Sequence, residues 1–465
     1  MTMEEIKYQV TAANPFGSYE FDVNEDLAQI ELNLTTSIKP WYHLFVIYEG
    51  QQVGQILITH KQDARQVLIG KTVATSSATV FPSLSLVGHW EIKFFGSQIE
   101  TASEELKINR IDHLTTPVID AESQQDVVRE LASQPSKSGW VKGDFHTHTI
   151  YSDGMMTRQA NIESAKEQGL DFFVATEHNV VTALWPRQDE VAIFGGCELT
   201  TPFGHTNFLG LERPLLDATG MPGFVNETAL MQVIEANRDN GLMSINHPFL
   251  DPWDWTLDVP LAYVTSMELI NDPTYSDNDS ATVKAFDLWS ALWNHGWQIT
   301  GIGGSDSHLL PDDKYPDANM PSLIGDPATY VMVESLTRDN VLAGIKAKHT
   351  KVSRFGEIML TSVNQADLLP GQQVSAAVRS FTLQLPNTTP AGYVTEWVLD
   401  GAVVASTTAL TSTYTITPEI DLTEYHWLRA DVKDQNGVQQ ATFTPVFWGE
   451  RTPTITTYQE VLVHD

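Results

Sequence analysis

Between residues 141 and 333 short apolar runs alternate with helical segments, and no other feature narrows the fold as far. The runs lie at 141–145, 171–176, 191–195, 206–211, 241–246, 266–270, 298–303 and 329–333. Strands separated by helices read as parallel βα units, and seven or so such units suggest a barrel. The helices between them are also legible. One spans 157–168, and Asn226 caps another whose Ala229, Leu230, Val233 and Ile234 form one apolar face. A third covers 280–294, and Thr337-Arg338-Asp339-Asn340 opens the last.

In such a barrel the chemistry sits at the C-terminal ends of the strands, and metal-ligating residue types collect there. The stretch from Gly143 to Gly154 is an apolar strand that stops in His146 and His148, then turns through Asp153. Alternate side chains of an extended chain share a face, so both imidazoles can reach one ion. A lone His-x-His reads more readily as two surface histidines; agreement in position decides otherwise. His178 follows the run at 171–176, Glu198 the run at 191–195, His247 the run at 241–246, and Asp306 and His308 the run at 298–303. Random surface histidines have no reason to select one rim, whereas mixed imidazole and carboxylate donors suit Zn, Mn or Fe. His205 starts a run instead of ending one, so this pattern alone does not place it.

The flanks read differently. Residues 1–114 carry aromatic and β-branched runs at 30–34, 41–48, 55–59 and 89–95, broken by Gly, Asn, Pro and Ser, as in a small β-sandwich. Their histidines, His43, His60, His89 and His113, show no mutual spacing and read as structural or surface. Residues 115–140 are a polar linker with a short helix expected over 120–132. The βα region spans 141–352, and residues 353–465 return to alternating runs, a second sandwich-like unit. The expected class is therefore α/β, a barrel between two all-β units.

Composition limits the partners. Lys and Arg number 27 against 59 Asp and Glu, a formal charge of -32, which disfavours nucleic acid. No apolar run reaches membrane-span length and the start, Met-Thr-Met-Glu-Glu, lacks a signal-peptide pattern, so the chain reads as cytoplasmic. The single cysteine, Cys197, excludes an internal disulfide and reads as a small buried residue.

The motifs His146-Thr147-His148, Thr176-Glu177-His178-Asn179, Asn246-His247-Pro248 and Ser305-Asp306-Ser307-His308 resemble, in order, those of the polymerase and histidinol phosphatase (PHP) superfamily. That resemblance implies a distorted seven-stranded (β/α) barrel holding two or three divalent metals, Mn, Zn or Fe. Carried over by position, the ligands are His146, His148, Asp153, His178, Glu198, His205, His247, Asp306 and His308, with Glu198 bridging. The close spacing of Glu198 and His205, and the β region ending near Phe443-Thr444-Pro445-Val446-Phe447, look more like the CehA/McbA-type branch than the polymerase-associated one. Thr176-Glu177-His178 stands where many members have Thr-Asp-His.

Paired ions generate a hydroxide at neutral pH and polarise a phosphoryl or carbonyl oxygen, so the expected activity is hydrolysis. Asp153, Asp306 or His178 would handle the proton. The expected substrate is a small phosphorylated molecule; the alternatives are a carbamate, amide or aryl ester and, outside catalysis, a metal-containing binding scaffold. Arg158 is a candidate phosphate clamp, as are Lys284 and the group Lys346, Lys348, Lys351 and Arg354. Asn179, Trp185 and Trp253 are candidate pocket walls, and Asn271 and Asp272 also end a strand. The flanking units are expected to pack on the barrel or on a second copy, which admits a homo-oligomer.

Overall fold

The computed structural model describes residues 2–37, 41–62, 64–97, 104–119, 127–128, 137–182, 184–211, 213–215, 221–363, 365 and 367–464. It is a mixed α/β protein, rich in strands and poor in helices.

The N-terminal region forms two four-stranded antiparallel sheets. One runs in the order Thr2–Val10, Glu104–His113, Gln29–Thr36, Ala64–Gly70; the other runs Phe16–Val23, Gly88–Ser97, Trp41–Tyr48, Gln51–Ile58. Leu32, Leu34, Ile69, Leu44, Val46 and Trp90 belong to the buried core of this region. Trp41–Tyr48 has no polar face, and the reason is the period of two in a strand. Tyr42, Leu44 and Val46 enter the sandwich core, while Phe45 joins the core of the central region and His43 stacks on Phe224 with centroids 4.5 Å apart.

The central strands form one continuous path: Thr300–Gly304, Val264–Asn271, Leu242–Ile245, Gly204–Leu209, Ala192–Thr201, Phe172–Ala175, Gly139–Asp144, Ala328–Val333 and Thr350–Ser353. The strands are not all parallel, contrary to what the barrel reading expected. Four pairings are parallel, but Ala192–Thr201 meets Gly204–Leu209 antiparallel, as does Gly204–Leu209 with Leu242–Ile245 and Gly139–Asp144 with Ala328–Val333. Only Pro202 and Phe203 separate the first of these pairs, far too few residues for a crossover, so the chain must turn back as a hairpin. No named strand pairing closes the path into a ring among the described residues. Side chains tie the far strand back instead: the Gly303 amide donates to Thr329 Oγ1 at 2.8 Å and the Gly301 amide to Thr444 Oγ1 at 3.2 Å.

Helices Arg158–Glu167, Glu227–Ala236, Asn278–Asn294 and Arg338–Lys346 lie where the periodicity put them. Three are capped from the side chain: Thr157 accepts from the Ala160 amide, Asn226 from Ala229 and Thr337 from Asn340. The helix expected over 120–132 lies outside the described residues, except Val127–Val128, which pairs as a short strand with Trp185–Pro186. Among the described residues no helix is long and apolar enough to cross a membrane.

Beyond Ser353 the chain is again mainly strands, but they do not stand apart. Thr350–Ser353, which crosses the boundary expected at 352, pairs with Gln439–Phe443, so the central path continues through His426–Lys433, Val394–Leu399 and Ala402–Thr407. A separate three-stranded sheet, Met359–Ser362, Ser380–Gln384 and Thr411–Thr415, packs over it around Phe381, Trp397 and Trp448. The last helix, Tyr458–His464, returns to the central core through Tyr458 and Val461.

Candidate metal centre

His146 and His148 follow the strand Gly139–Asp144, whose last residue fixes the rim. Buried Asp144 accepts the amides of His146 at 3.0 Å, Ser305 at 3.1 Å and Gly325 at 2.6 Å, tying three loops to one carboxyl. Burial pushes that carboxyl up to about 6 against these bonds. Glu177 serves the next turn, accepting from the Thr149 amide at 3.1 Å and the Ser152 hydroxyl at 2.5 Å. The loop then folds tightly on itself: a Cβ at Gly154 would sit 2.7 Å from the His148 carbonyl carbon, so only glycine fits.

On this frame the imidazoles and carboxylates converge. His146 Nε2 lies 3.3 Å from Glu198 Oε1 and 3.2 Å from Asp306 Oδ1; His148 Nε2 lies 3.4 Å from Glu198 Oε2 and 3.1 Å from Asp306 Oδ1. Asp153 Oδ1 faces His178 Nε2 at 3.2 Å and His308 Nε2 at 2.9 Å. Glu198 Oε1 is also 3.1 Å from His205 Nδ1 and 3.5 Å from His247 Nε2. Three overlapping sets could each hold an ion: His148, Asp153, His178 and His308; His146, His148 and Asp306; His178, Glu198 and His205. Of the nine expected donors, His247 alone falls outside these sets. His205 reaches the same rim because its strand is antiparallel, pairing His205 with Thr200, so a strand start and a strand end lie side by side.

The donor chemistry fits divalent cations. His146 Nε2, His148 Nε2, Asp153 Oδ1, Glu198 Oε2 and Asp306 Oδ1 are buried without hydrogen-bond partners, a costly arrangement unless something positive joins them. Burial would push the Glu198 carboxyl up, but His146, His178 and His205 hold it well below the usual carboxylate range. Asp306 is likewise held low against its burial, chiefly by His146. Burial disfavours a charged His178, yet Glu198 and Asp153 bring it up to about 10, whereas burial and the neighbouring His308 and His178 push His148 down to about 3. Metal bound by these imidazoles would displace any proton they carry. Asn179, His247 and Asp306 have positive φ of 55°, 24° and 48°. Such backbone strain in non-glycine residues concentrates at functional sites.

The centre opens into a cavity of about 560 Å³. Asn179 and Trp253 line it, together with Asp272, Tyr275 and Tyr315. Asn179 is held by Thr200, donating to its carbonyl at 2.9 Å and accepting its amide at 3.0 Å. Arg158 and Trp185 do not reach the cavity. The Arg158 guanidinium is buried, donating to the Leu184 carbonyl and lying 5.2 Å from the Tyr151 ring. Trp185 is buried against Phe173 and donates to the Thr182 carbonyl. Lys351 and Arg354 are spent on Glu357 and Asp326, and neither they nor Lys284, Lys346 and Lys348 line the cavity.

Sequence reasoning missed Glu268, whose Oε1 lies 2.8 Å from His146 Nδ1 and whose Oε2 accepts the His247 amide at 3.1 Å. Its strand was recognised, and a buried acid in the run Ser-Met-Glu-Leu-Ile was the available signal. Also missed was the N-terminal wall of the cavity, formed by Trp41, His43, His60 and Lys61.

No protein-family model matches the chain, and no curated protein does either. Among solved structures it is similar to a two-domain protein from Bacteroides vulgatus containing a predicted PHP-like metal-dependent phosphoesterase. The two are 14% identical, the match covers 69% of this chain and 98% of that one, and the TM-score is 0.37. A second match is the carbohydrate-binding module CBM36 in complex with calcium and xylotriose, 12% identical, covering 24% of this chain and 99% of that one with a TM-score of 0.17. At these scores neither likeness bears on the reaction; the ligand geometry does.

Proposed function

We propose that the protein is a metal-dependent hydrolase of PHP type, acting as a phosphoesterase on a small phosphorylated molecule. The observation that carries this reading is the set of five buried ligand atoms, on His146, His148, Asp153, Glu198 and Asp306, that crowd together without hydrogen-bond partners. These residues with His178, His205 and His308 would hold two or three divalent cations, and His247 stands beside them. Bound cations of this kind supply Lewis-acid polarisation of the scissile group and lower the pKa of water.

The chain's own groups divide the remaining work. Asp306 and Asp153, both lining the cavity, are the carboxylates that take the proton of the attacking water. The leaving oxygen recovers that proton from the same carboxylate, and His178, with Nε2 3.2 Å from Asp153 Oδ1, orients Asp153 for the transfer. Trp253, Tyr275 and Tyr315 give the cavity an aromatic side that receives an apolar part of the substrate. That same aromatic side favours the second reading, a carbamate or amide hydrolase of CehA/McbA type.

Elemental analysis of protein purified without chelator, paired with hydrolysis of p-nitrophenyl phosphate and a naphthyl carbamate with and without Mn, tests both. Two or more ions per chain with Mn-dependent phosphate release supports the phosphoesterase; carbamate turnover alone selects the second reading. A folded, metal-free and inactive chain overturns both in favour of a binding scaffold.

A further inference from the structure

We propose that Lys61, carried by the N-terminal sandwich, is the cation that selects an anionic substrate group for this centre, so that the preferred substrate is a phosphate monoester of an aromatic or otherwise apolar alcohol. The inference rests on the metal-dependent hydrolase reading above. Lys61 is the one lysine among the described residues lining the cavity, and no arginine lines it. The chain carries a formal charge of -32, so a positive side chain beside the metal centre helps draw an anion into this cavity.

The ammonium stands one carboxylate away from the donor cluster. Lys61 Nζ donates to the Asp153 carbonyl oxygen at 2.5 Å and lies 3.5 Å from Asp153 Oδ2, while Oδ1 of the same residue faces His178 and His308. An ammonium has three N–H donors, and these two contacts leave capacity for a phosphoryl oxygen. Its loop is docked and does not float. The Gln62 amide group donates to the Ile150 carbonyl at 3.1 Å, the Trp41 indole donates to His60 Nδ1 at 3.2 Å, and the Trp41 ring meets His178 edge-on at 5.2 Å. Trp253 and Tyr275 line the same cavity and offer apolar surface for the alcohol portion.

The competing role is that Lys61 merely fastens the loop bearing Asp153, and kinetics separates the two. Lys61→Met and Lys61→Arg are compared with the wild-type chain, all loaded with Mn. The readouts are KM for p-nitrophenyl phosphate, inhibition by inorganic phosphate, turnover of the neutral naphthyl carbamate, and metal per chain. Selection of an anion predicts that Lys61→Met raises KM and the inhibition constant of phosphate about tenfold, the scale of one lost charged hydrogen bond. Lys61→Arg recovers part of that loss, and metal content does not change. Values within twofold of wild type, or equal losses on the phosphate and the carbamate, overturn the inference and leave the hydrolase reading standing. A wild-type chain with neither metal nor turnover overturns both.

Discussion

Glu268 Oε1 lies 2.8 Å from His146 Nδ1, and this contact turns the other ring nitrogen, Nε2, toward Glu198 and Asp306. A carboxylate behind a ligating imidazole fixes its tautomer and raises its basicity. Glu268→Gln keeps the shape and one acceptor oxygen but loses the charge. The expected result is a loss of about 10- to 100-fold in Mn affinity by calorimetric titration, with a native circular-dichroism spectrum. Unchanged affinity would show that His146 is oriented by other contacts.

Chelation should destabilise the whole molecule. Ligands that bind only the folded state add stability by mass action, about 2.7 kcal/mol when free ion stands at one hundred times Kd. Scanning calorimetry before and after exhaustive treatment with EDTA should therefore show a lower Tm, restored by adding Mn. Identical curves would mean that no cation is bound at the centre.

His43 predicts a weakness to acid. Burial, then the nearby His178, pushes its pKa down to about 3 from an ordinary 6.5. Between those values the unfolded chain binds a proton there and the folded chain does not, so stability falls as pH drops through this window. The slope is about 1.4 kcal/mol per pH unit from this one group. His43→Leu should flatten that part of the curve in urea titrations between pH 6 and 4 (chosen to stay above about 3).

Asp306→Asn should lower kcat for p-nitrophenyl phosphate by about 100-fold or more, measured at saturating Mn with metal content checked in parallel. A variant that retains both metal and the wild-type rate would remove Asp306 from the proton path.

Arg158→Met should cost stability and leave recognition alone. The guanidinium is buried under Tyr151 and donates to the Leu184 carbonyl, so its loss leaves an acceptor unmatched. About 2–4 kcal/mol should disappear from the denaturant midpoint analysis, with KM for p-nitrophenyl phosphate within twofold of wild type. A large rise in KM without loss of stability would return Arg158 to the substrate.

Most of the candidate donors were legible because they follow the end of an apolar run, a local property of sequence, although the strand that carries Glu198 continues to Thr201. His178, Glu198, His247 and the pair Asp306 and His308 needed nothing more. His205 was harder, since its place depends on the antiparallel turn at Pro202 and Phe203, which makes a strand's beginning share the rim. Glu268 was hidden inside an apolar run, where only the tertiary partner His146 explains a buried acid. Arg158 looked like a clamp from its position after Gly154; the direction of its side chain was settled by packing on Tyr151, which no linear spacing encodes. The mixed strand directions were illegible for the same reason, because apolar runs do not announce their direction. Trp41–Tyr48 held a usable sign, a strand apolar or aromatic on both faces except at His43, of a second body pressed against the sandwich.

The strand Thr350–Ser353 has one lasting consequence. It is zipped to Ala328–Val333 on one side and to Gln439–Phe443 on the other, with Lys351 opposite Phe443 and Val352 opposite Thr442. There is accordingly no seam at which scissors could free the metal-bearing portion. A fragment ending near Ser353 would offer its raw backbone edge to any passing chain and invite clumping. Any shuffling of this molecule, in the laboratory or by descent, has to carry both halves of that zip together.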